Sequence, residues 1–155
     1  MDIEALRSGY KEFYAEASAG GFGPPPEGEW TAEFIVAHIA ANDDLLSTTT
    51  SQVLAGGDAQ GYYNHDVIDN ARLAVLVADR SGDLTSLVAW GREASDRLCA
   101  LADELADRGD TLVHTHIVDG DTVVADQPLP WAAVLDIHAQ RHLRRHIAQL
   151  RALRG

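Results

Sequence analysis

The sequence of 155 residues contains one cysteine, Cys99, one lysine, Lys11, and few aromatic residues. A single cysteine cannot form an internal disulfide, so we expect a reducing, cytoplasmic environment. Within its predicted helix, Cys99 is expected to be a small buried side chain rather than a reactive thiol. No apolar run reaches the ~18 to 20 residues of a membrane span. The acidic N-terminus also lacks the basic and apolar regions of a secretory signal. No membrane partner is therefore expected.

Positive charge is scarce and unevenly distributed. Twenty-four acidic residues against twelve basic ones give a formal net charge of −12, which argues against nucleic acid or an anionic membrane as a partner. Five basic residues lie on the last predicted helix: Arg141, Arg144, Arg145, Arg151 and Arg154. They either form a solvated helix face or include one or two side chains that line a pocket for an anionic substrate.

Apolar residues recur at helical spacing in four long segments. These segments predict helices over residues 2–18, from Thr31 as N-cap to about Leu54, from Leu84 to about Ala106, and over residues 131–153. The Gly56-Gly57 pair is expected to end the second helix. A shorter helix is predicted over residues 67–78. We expect an all-α protein, a four-helix bundle forming a single domain over residues 1–155, with the short helix and a small β-hairpin as additions.

Asp66 is expected to cap the short helix, and Asp43 and Asp44 on the second long helix are expected to form a solvated or capping face.

The hairpin is predicted directly before the last helix. The segments TLVHTHIV and DTVVADQ flank Asp119-Gly120, which predicts a type I′ turn, and Pro130 suits the first turn of the helix that follows. His114 and His116 alternate with apolar residues and therefore share one face of the hairpin. They are either exposed to solvent, or the hairpin covers a pocket mouth and they contact a substrate or support the site.

The last predicted helix carries three histidines, His138, His142 and His146, spaced four residues apart. Residues at this spacing lie on one side of a helix, about 6 Å apart along its axis, so either adjacent pair can reach one ion. A third ligand must come from elsewhere, and His38 in the middle of the apolar face of the second helix is the candidate. Three imidazoles with an open position are typical of a catalytic metal site. A polar helix face without metal is the alternative.

From EWTAEFIVAHIAANDDLL to HAQRHLRRHIAQLRALRG, the sequence resembles the DinB-like superfamily of metal-binding four-helix bundles. This superfamily includes YfiT-type proteins, bacillithiol transferases and the N-terminal domain of mycothiol-dependent maleylpyruvate isomerases. Its pattern is a tryptophan that opens helix 2, a histidine about eight residues later, and a final H-x-x-x-H followed closely by glutamine. The matching residues here are Trp30, His38, His142, His146 and Gln149.

The resemblance implies a divalent metal, zinc or nickel, bound by His38, His142 and His146. The pair His138 and His142 remains an alternative that would move the site by one turn. If His138 is not a ligand, it is a neighbouring polar residue or a proton carrier.

The activity that the resemblance implies is that of a metal-dependent S-transferase or isomerase. Its co-substrate would be a low-molecular-weight thiol of the mycothiol type, and its substrate a small molecule. We expect Arg145, His114 and His116 as substrate-contacting or supporting residues. We do not expect maleylpyruvate isomerase activity itself, since the sequence lacks the additional C-terminal domain of those enzymes. A metal-dependent hydrolase on the same site is one alternative. The other is a non-catalytic bundle that binds a metal or ligand, and a homodimer is an expected assembly.

Overall fold

The computed structural model describes residues 1–56 and 61–155. In chain order its elements are α1 (Ile3–Ala19), α2 (Ala32–Leu54), β1 (Tyr62–Tyr63), α3 (His65–Ile68), α4 (Asn70–Asp79), α5 (Leu84–Asp103), a 3₁₀-helix (Ala106–Asp110), β2 (Leu112–Asp119), β3 (Thr122–Pro130), α6 (Trp131–Ile137), a π-helical turn (His138–His142) and α7 (Leu143–Ala152).

Four long helical segments pack around one apolar core, as the sequence predicted. The last of them is continuous over residues 131–152 and comprises α6, the π turn and α7; we call it the C-terminal helix. α1 packs against both α5 and the C-terminal helix, and α2 packs mainly against α5. Phe13, Trp131 and Leu143 are among the fully buried side chains. None of the helices within residues 1–56 and 61–155 is long and apolar enough to cross a membrane.

Helix starts follow the capping rules, with one correction. Thr31 caps α2 as predicted, because its hydroxyl accepts a hydrogen bond of 3.2 Å from the Phe34 N–H. The predicted short helix is in fact two helices, and Asp66 does not cap it. Asp69 separates α3 from α4 in an extended conformation, and its carboxylate accepts the Arg72 N–H at 3.0 Å. Of the predicted Gly56-Gly57 stop, Gly57 lies outside the described residues.

β2 and β3 form the predicted antiparallel hairpin, but the turn differs from the prediction. Asp119 pairs with Thr122, so the two turn residues are Gly120 and Asp121. Only Gly120 has a positive φ, 60°, which corresponds to a type II′ turn rather than type I′. Pro130 is the last residue of β3 and precedes the C-terminal helix, rather than lying in its first turn.

A third strand was not predicted. Tyr62 and Tyr63 of β1 pair in parallel with Thr115 and His116 of β2, so the sheet order is β1-β2-β3. This short strand joins the segment after α2 to the hairpin.

The C-terminal helix contains a π turn that begins at His138 and ends at His142. The Leu143 N–H donates to the His138 carbonyl, five residues back instead of four. Such turns inside α-helices occur frequently at functional sites. Here the π turn lies at the histidines that the sequence singled out.

Candidate metal centre

Three imidazoles from two helices converge beside the C-terminal helix. The Nε2 atom of His142 lies 2.9 Å from Nε2 of His38 on α2 and 3.1 Å from Nε2 of His146. One ligand atom from each of the three residues lies within 4.8 Å of the others, a spacing that could hold a metal ion. His38 and His146 are buried, and His142 is partly buried.

The outer nitrogens of His38 and His146 have defined partners. Nδ1 of His38 lies 2.7 Å from the Val67 carbonyl of α3, and Nδ1 of His146 lies 2.6 Å from Oε1 of Gln149. Both partners are oxygen acceptors, so Nδ1 carries the proton in each ring. The Nε2 atom of each neutral ring therefore presents a lone pair toward His142.

Behind His142 lies a buried chain of polar groups. Nδ1 of His142 lies 2.9 Å from Nδ1 of His138, whose Nε2 lies 2.9 Å from the Tyr10 hydroxyl and 3.2 Å from Oδ1 of Asp43. The Tyr10 hydroxyl donates to the same Asp43 oxygen at 2.5 Å. Nδ1 of His138 thus contacts the outer nitrogen of His142, and its Nε2 contacts Tyr10 and Asp43, which leaves His38, His142 and His146 as the convergent set.

The expectation that Asp43 and Asp44 form one solvated face is wrong for Asp43. Asp43 is 0% exposed, whereas Asp44 is at the surface, where it accepts hydrogen bonds from Trp90 and Arg97. Asp43 follows Ile39 by four residues and therefore lies on the apolar stripe of α2, a signal that the sequence already contained.

Burial keeps the three convergent histidines neutral. Desolvation lowers the pKa of His38 to about 4 and that of His146 to about 3, and it lowers the pKa of His142 well below its usual value. The nearby positive side chain of Arg145 lowers all three further. Neutral imidazole is the form that binds metal, so the site is in its ligand form at neutral pH.

The donor set fits a divalent metal ion. Lone pairs on His38 and His146 point at the same small volume as Nε2 of His142. Metal–nitrogen distances of about 2.0–2.1 Å place neighbouring ligands roughly 3 Å apart, close to the separations of 2.9 and 3.1 Å from Nε2 of His142 to its two neighbours. Each ring also has a partner for its second nitrogen, as metal-bound histidines almost always do.

The three histidines lie in the wall of a cleft of about 810 Å³, a size suited to a small molecule. Trp30 lies beside them, with its ring centroid 5.0 Å from His38 and stacked 6.2 Å from His146. Its indole N–H donates to Asn70 at 2.8 Å, which fixes the ring. The cleft therefore combines a polar centre with an aromatic wall.

Two arginines of the C-terminal helix line the cleft, Arg141 and Arg145. Arg145 forms an ion pair of 3.0 Å with Asp119, next to the hairpin turn, and so connects the hairpin to the helix. Arg141 is exposed and forms no ion pair with any carboxylate of the described residues. Arg144, also exposed, does not line the cleft.

His114 and His116 lie together on one face of the hairpin, as predicted, but on the face away from the cleft. Both contact Asp126, whose Oδ1 lies 2.8 Å from His114 and 3.3 Å from His116. Neither lines the cleft, whereas Ile117 and Asp119 of the same strand do. The hairpin therefore borders the cleft, but the geometry gives no support to a substrate contact by these two histidines.

Comparison with known proteins places the fold. No family model and no curated protein sequence matches the chain. A crystal structure of the mycothiol-dependent maleylpyruvate isomerase superposes with a TM-score of 0.71 and 19% identity, over 96% of this chain and 58% of that one. A mutant of that enzyme with one histidine replaced by alanine superposes with a TM-score of 0.70 and 18% identity, over the same shares. The chain thus spans little more than half of these structures, and it shares the fold of the part that it matches, a helical bundle as the sequence predicted.

Proposed function

We propose that this protein is a metal-dependent enzyme in which His38, His142 and His146 hold a divalent ion, zinc or nickel. We further propose that it uses a low-molecular-weight thiol of the mycothiol type in an S-transfer or isomerisation of a small molecule. The observation that supports the proposal is the convergence of neutral imidazole nitrogens at the wall of an 810 Å³ cleft. The likeness in fold to a mycothiol-dependent isomerase supports the choice of a thiol.

A bound divalent ion with an open position lowers the pKa of a thiol, so that thiolate is present near neutral pH. The chain supplies no such thiol itself. Cys99 is buried outside the cleft, and burial raises its pKa to about 11. A nucleophilic thiol would therefore come from a co-substrate.

The residues around the centre orient the ligands and limit the access of water. The Val67 carbonyl and Gln149 fix the ring orientations of His38 and His146. The Trp30 ring covers one side of these two imidazoles. A pre-oriented site with few water contacts strengthens the electrostatic effect of any charge placed within it.

Arg141 is our proposed anchor for an anionic group on the substrate. Its guanidinium is not neutralised by a described carboxylate, and it lies on the cleft wall one helical turn from Arg145. Arg145 already holds Asp119, so an anion would have to displace that contact to bind there. A guanidinium binds carboxylates with two parallel hydrogen bonds, which favours small organic acids.

The first test is metal content by plasma mass spectrometry on untagged protein. We expect about one metal per chain in the wild type and its loss in His38→Ala and in His142→Ala. His65→Ala, which removes an exposed histidine outside the cluster, is the matched control and should keep its metal. Wild-type protein without metal, and without response to zinc or nickel titration, would contradict the proposal.

The second test is turnover. Metal-loaded protein is assayed with a fluorogenic electrophile such as monobromobimane in the presence of mycothiol or other small thiols. Turnover that requires both metal and thiol supports the proposed activity. Hydrolysis of esters or amides without thiol would instead indicate a hydrolase, and bound metal without turnover of either kind would indicate a binding protein. Light scattering after size exclusion tests the expected homodimer.

A further inference from the structure

The carboxylate of Asp43 is buried, and none of the described residues beside it carries a full positive charge. Its carboxylate is 0% exposed. Among residues 1–56 and 61–155, its Oδ1 contacts only Tyr10 and His138, and its Oδ2 has no hydrogen-bond partner. A buried carboxylate without a cationic partner is strongly unfavourable, because the charge has lost its hydration and no opposite charge replaces it. The neighbouring Arg97 does not relieve this cost, because it pairs with Asp44 at the surface.

A site that could hold a positive charge lies two imidazoles away. His138 touches Asp43 through Nε2 and His142 through Nδ1, and Nε2 of His142 belongs to the convergent set. The π turn of the C-terminal helix begins at the first of these histidines and ends at the second. A continuous path of contacts therefore runs from the carboxylate to the candidate metal centre.

The direction of the protons along this path decides whether His142 can bind a metal. A neutral imidazole carries a single N–H. If His138 donates its Nε2–H toward Asp43, its Nδ1 accepts from Nδ1–H of His142, and Nε2 of His142 is then a free lone pair. In the opposite arrangement His142 carries its proton on Nε2, directed at His38 and His146, and that nitrogen then offers no lone pair to a metal.

We propose that Asp43 is a positioning residue for the metal centre. Acting through His138, its carboxylate holds His142 as the Nδ1–H tautomer and supplies the negative charge that balances a bound divalent cation. The balancing of a bound cation by Asp43 rests on the proposed metal site. The effect of Asp43 on the tautomer of His142 applies to the metal-free protein as well.

The first measurement is the zinc affinity of the metal-free protein by competition with a chelator. We expect Asp43→Asn, which removes the charge and keeps the shape, to weaken binding about 10- to 100-fold, the usual cost of losing a partner behind a ligand. Asp44→Asn is the matched control on the same helix and should bind as the wild type does. Thermal unfolding monitored by circular dichroism verifies that each variant is folded.

A double-mutant cycle distinguishes action through His138 from a general structural effect. In a His138→Phe background, the path is broken, so Asp43→Asn should have no further effect on zinc affinity. An undiminished effect of Asp43→Asn in that background would overturn the proposal. So would zinc binding by Asp43→Asn that equals that of the wild type.

The tautomer itself is read by ¹⁵N NMR of histidine-labelled, metal-free protein. We expect the wild type to show His142 protonated on Nδ1 and unprotonated on Nε2, and His138→Phe to lose this preference. A wild-type His142 protonated on Nε2 would overturn the proposal even if zinc binds elsewhere. If the wild type binds no zinc at all, the proposed function fails, while this spectrum still decides whether Asp43 and His138 set the tautomer.

Discussion

The metal-free protein should lose stability when the pH falls from 7.5 to 5, because its buried histidines resist protonation. Burial lowers the pKa of His38 to about 4 and that of His146 to about 3, against a value of 6.5 in the unfolded chain. Above pH 6.5 both states are neutral and stability is fully present. Below it the unfolded chain takes up protons that the folded protein does not, so the free energy of unfolding decreases until the pH reaches the pKa of the folded state.

The expected magnitude follows from the size of the pKa shifts. Each histidine contributes about 1.4 kcal/mol per pH unit between its unfolded and folded pKa, so at pH 5 each costs about 2 kcal/mol. His38 and His146 together cost about 4 kcal/mol, a large part of the roughly 5–15 kcal/mol that stabilises a typical domain. His142, whose pKa is also lowered, adds in the same direction.

The assay is urea unfolding of chelator-treated protein at pH 7.5 and pH 5, with the free energy of unfolding taken from midpoint and slope. His38→Asn, whose amide nitrogen takes the position of Nδ1 and can still donate to the Val67 carbonyl, should reduce the pH-dependent loss by about 2 kcal/mol. His65→Asn, at an exposed histidine, serves as the control and should keep the full loss. A wild-type loss below about 1 kcal/mol, or an unchanged loss in His38→Asn, would refute the reasoning.

Three further changes test other parts of the structure. Gly91→Ala should lower the free energy of unfolding by about 1–3 kcal/mol, because a Cβ at this position on α5 would overlap the Tyr14 side chain of α1. Urea denaturation measures this value, and an unchanged value would show that α1 and α5 can separate at little cost. Arg141→Gln should raise the KM for an anionic substrate about 10-fold or more, while Arg144→Gln, outside the cleft, should leave the KM unchanged. An equal rise of the KM in both variants would exclude Arg141 as an anchor. Cys99 should react slowly with a thiol reagent at pH 8 in the folded protein and rapidly in urea, since it is buried with a raised pKa; fast reaction in the folded protein would indicate an open path to α5.

Much of the fold was predictable because its signals are local. Helical spacing of apolar residues indicated the four long helices, and Thr31 marked the start of α2. The features that the sequence did not predict depend on pairing with residues distant in the sequence or on the backbone conformation of one or two residues. β1 exists only because β2 provides the edge with which Tyr62 and Tyr63 pair. The turn type depends on which two residues lie between the last paired positions, and a shift of one residue turns a predicted I′ turn into II′.

The candidate metal centre also has a part that the sequence predicts and a part that depends on tertiary packing. The sequence by itself determined that histidines on two apolar helices could meet, because four-residue spacing aligns side chains on one helix face and His38 lies within the buried stripe of another. Spacing alone could not choose between the two adjacent pairs on the C-terminal helix, and only the resemblance favoured His142 with His146. Which of these histidines lie close to His38 depends on packing in the tertiary structure. Asp43 and Tyr10 contact Nε2 of His138, so this nitrogen does not face His38. The packing of α2 against the C-terminal helix instead places His38 beside His142 and His146. Side chains from three helices set that difference, and spacing along one helix cannot encode it.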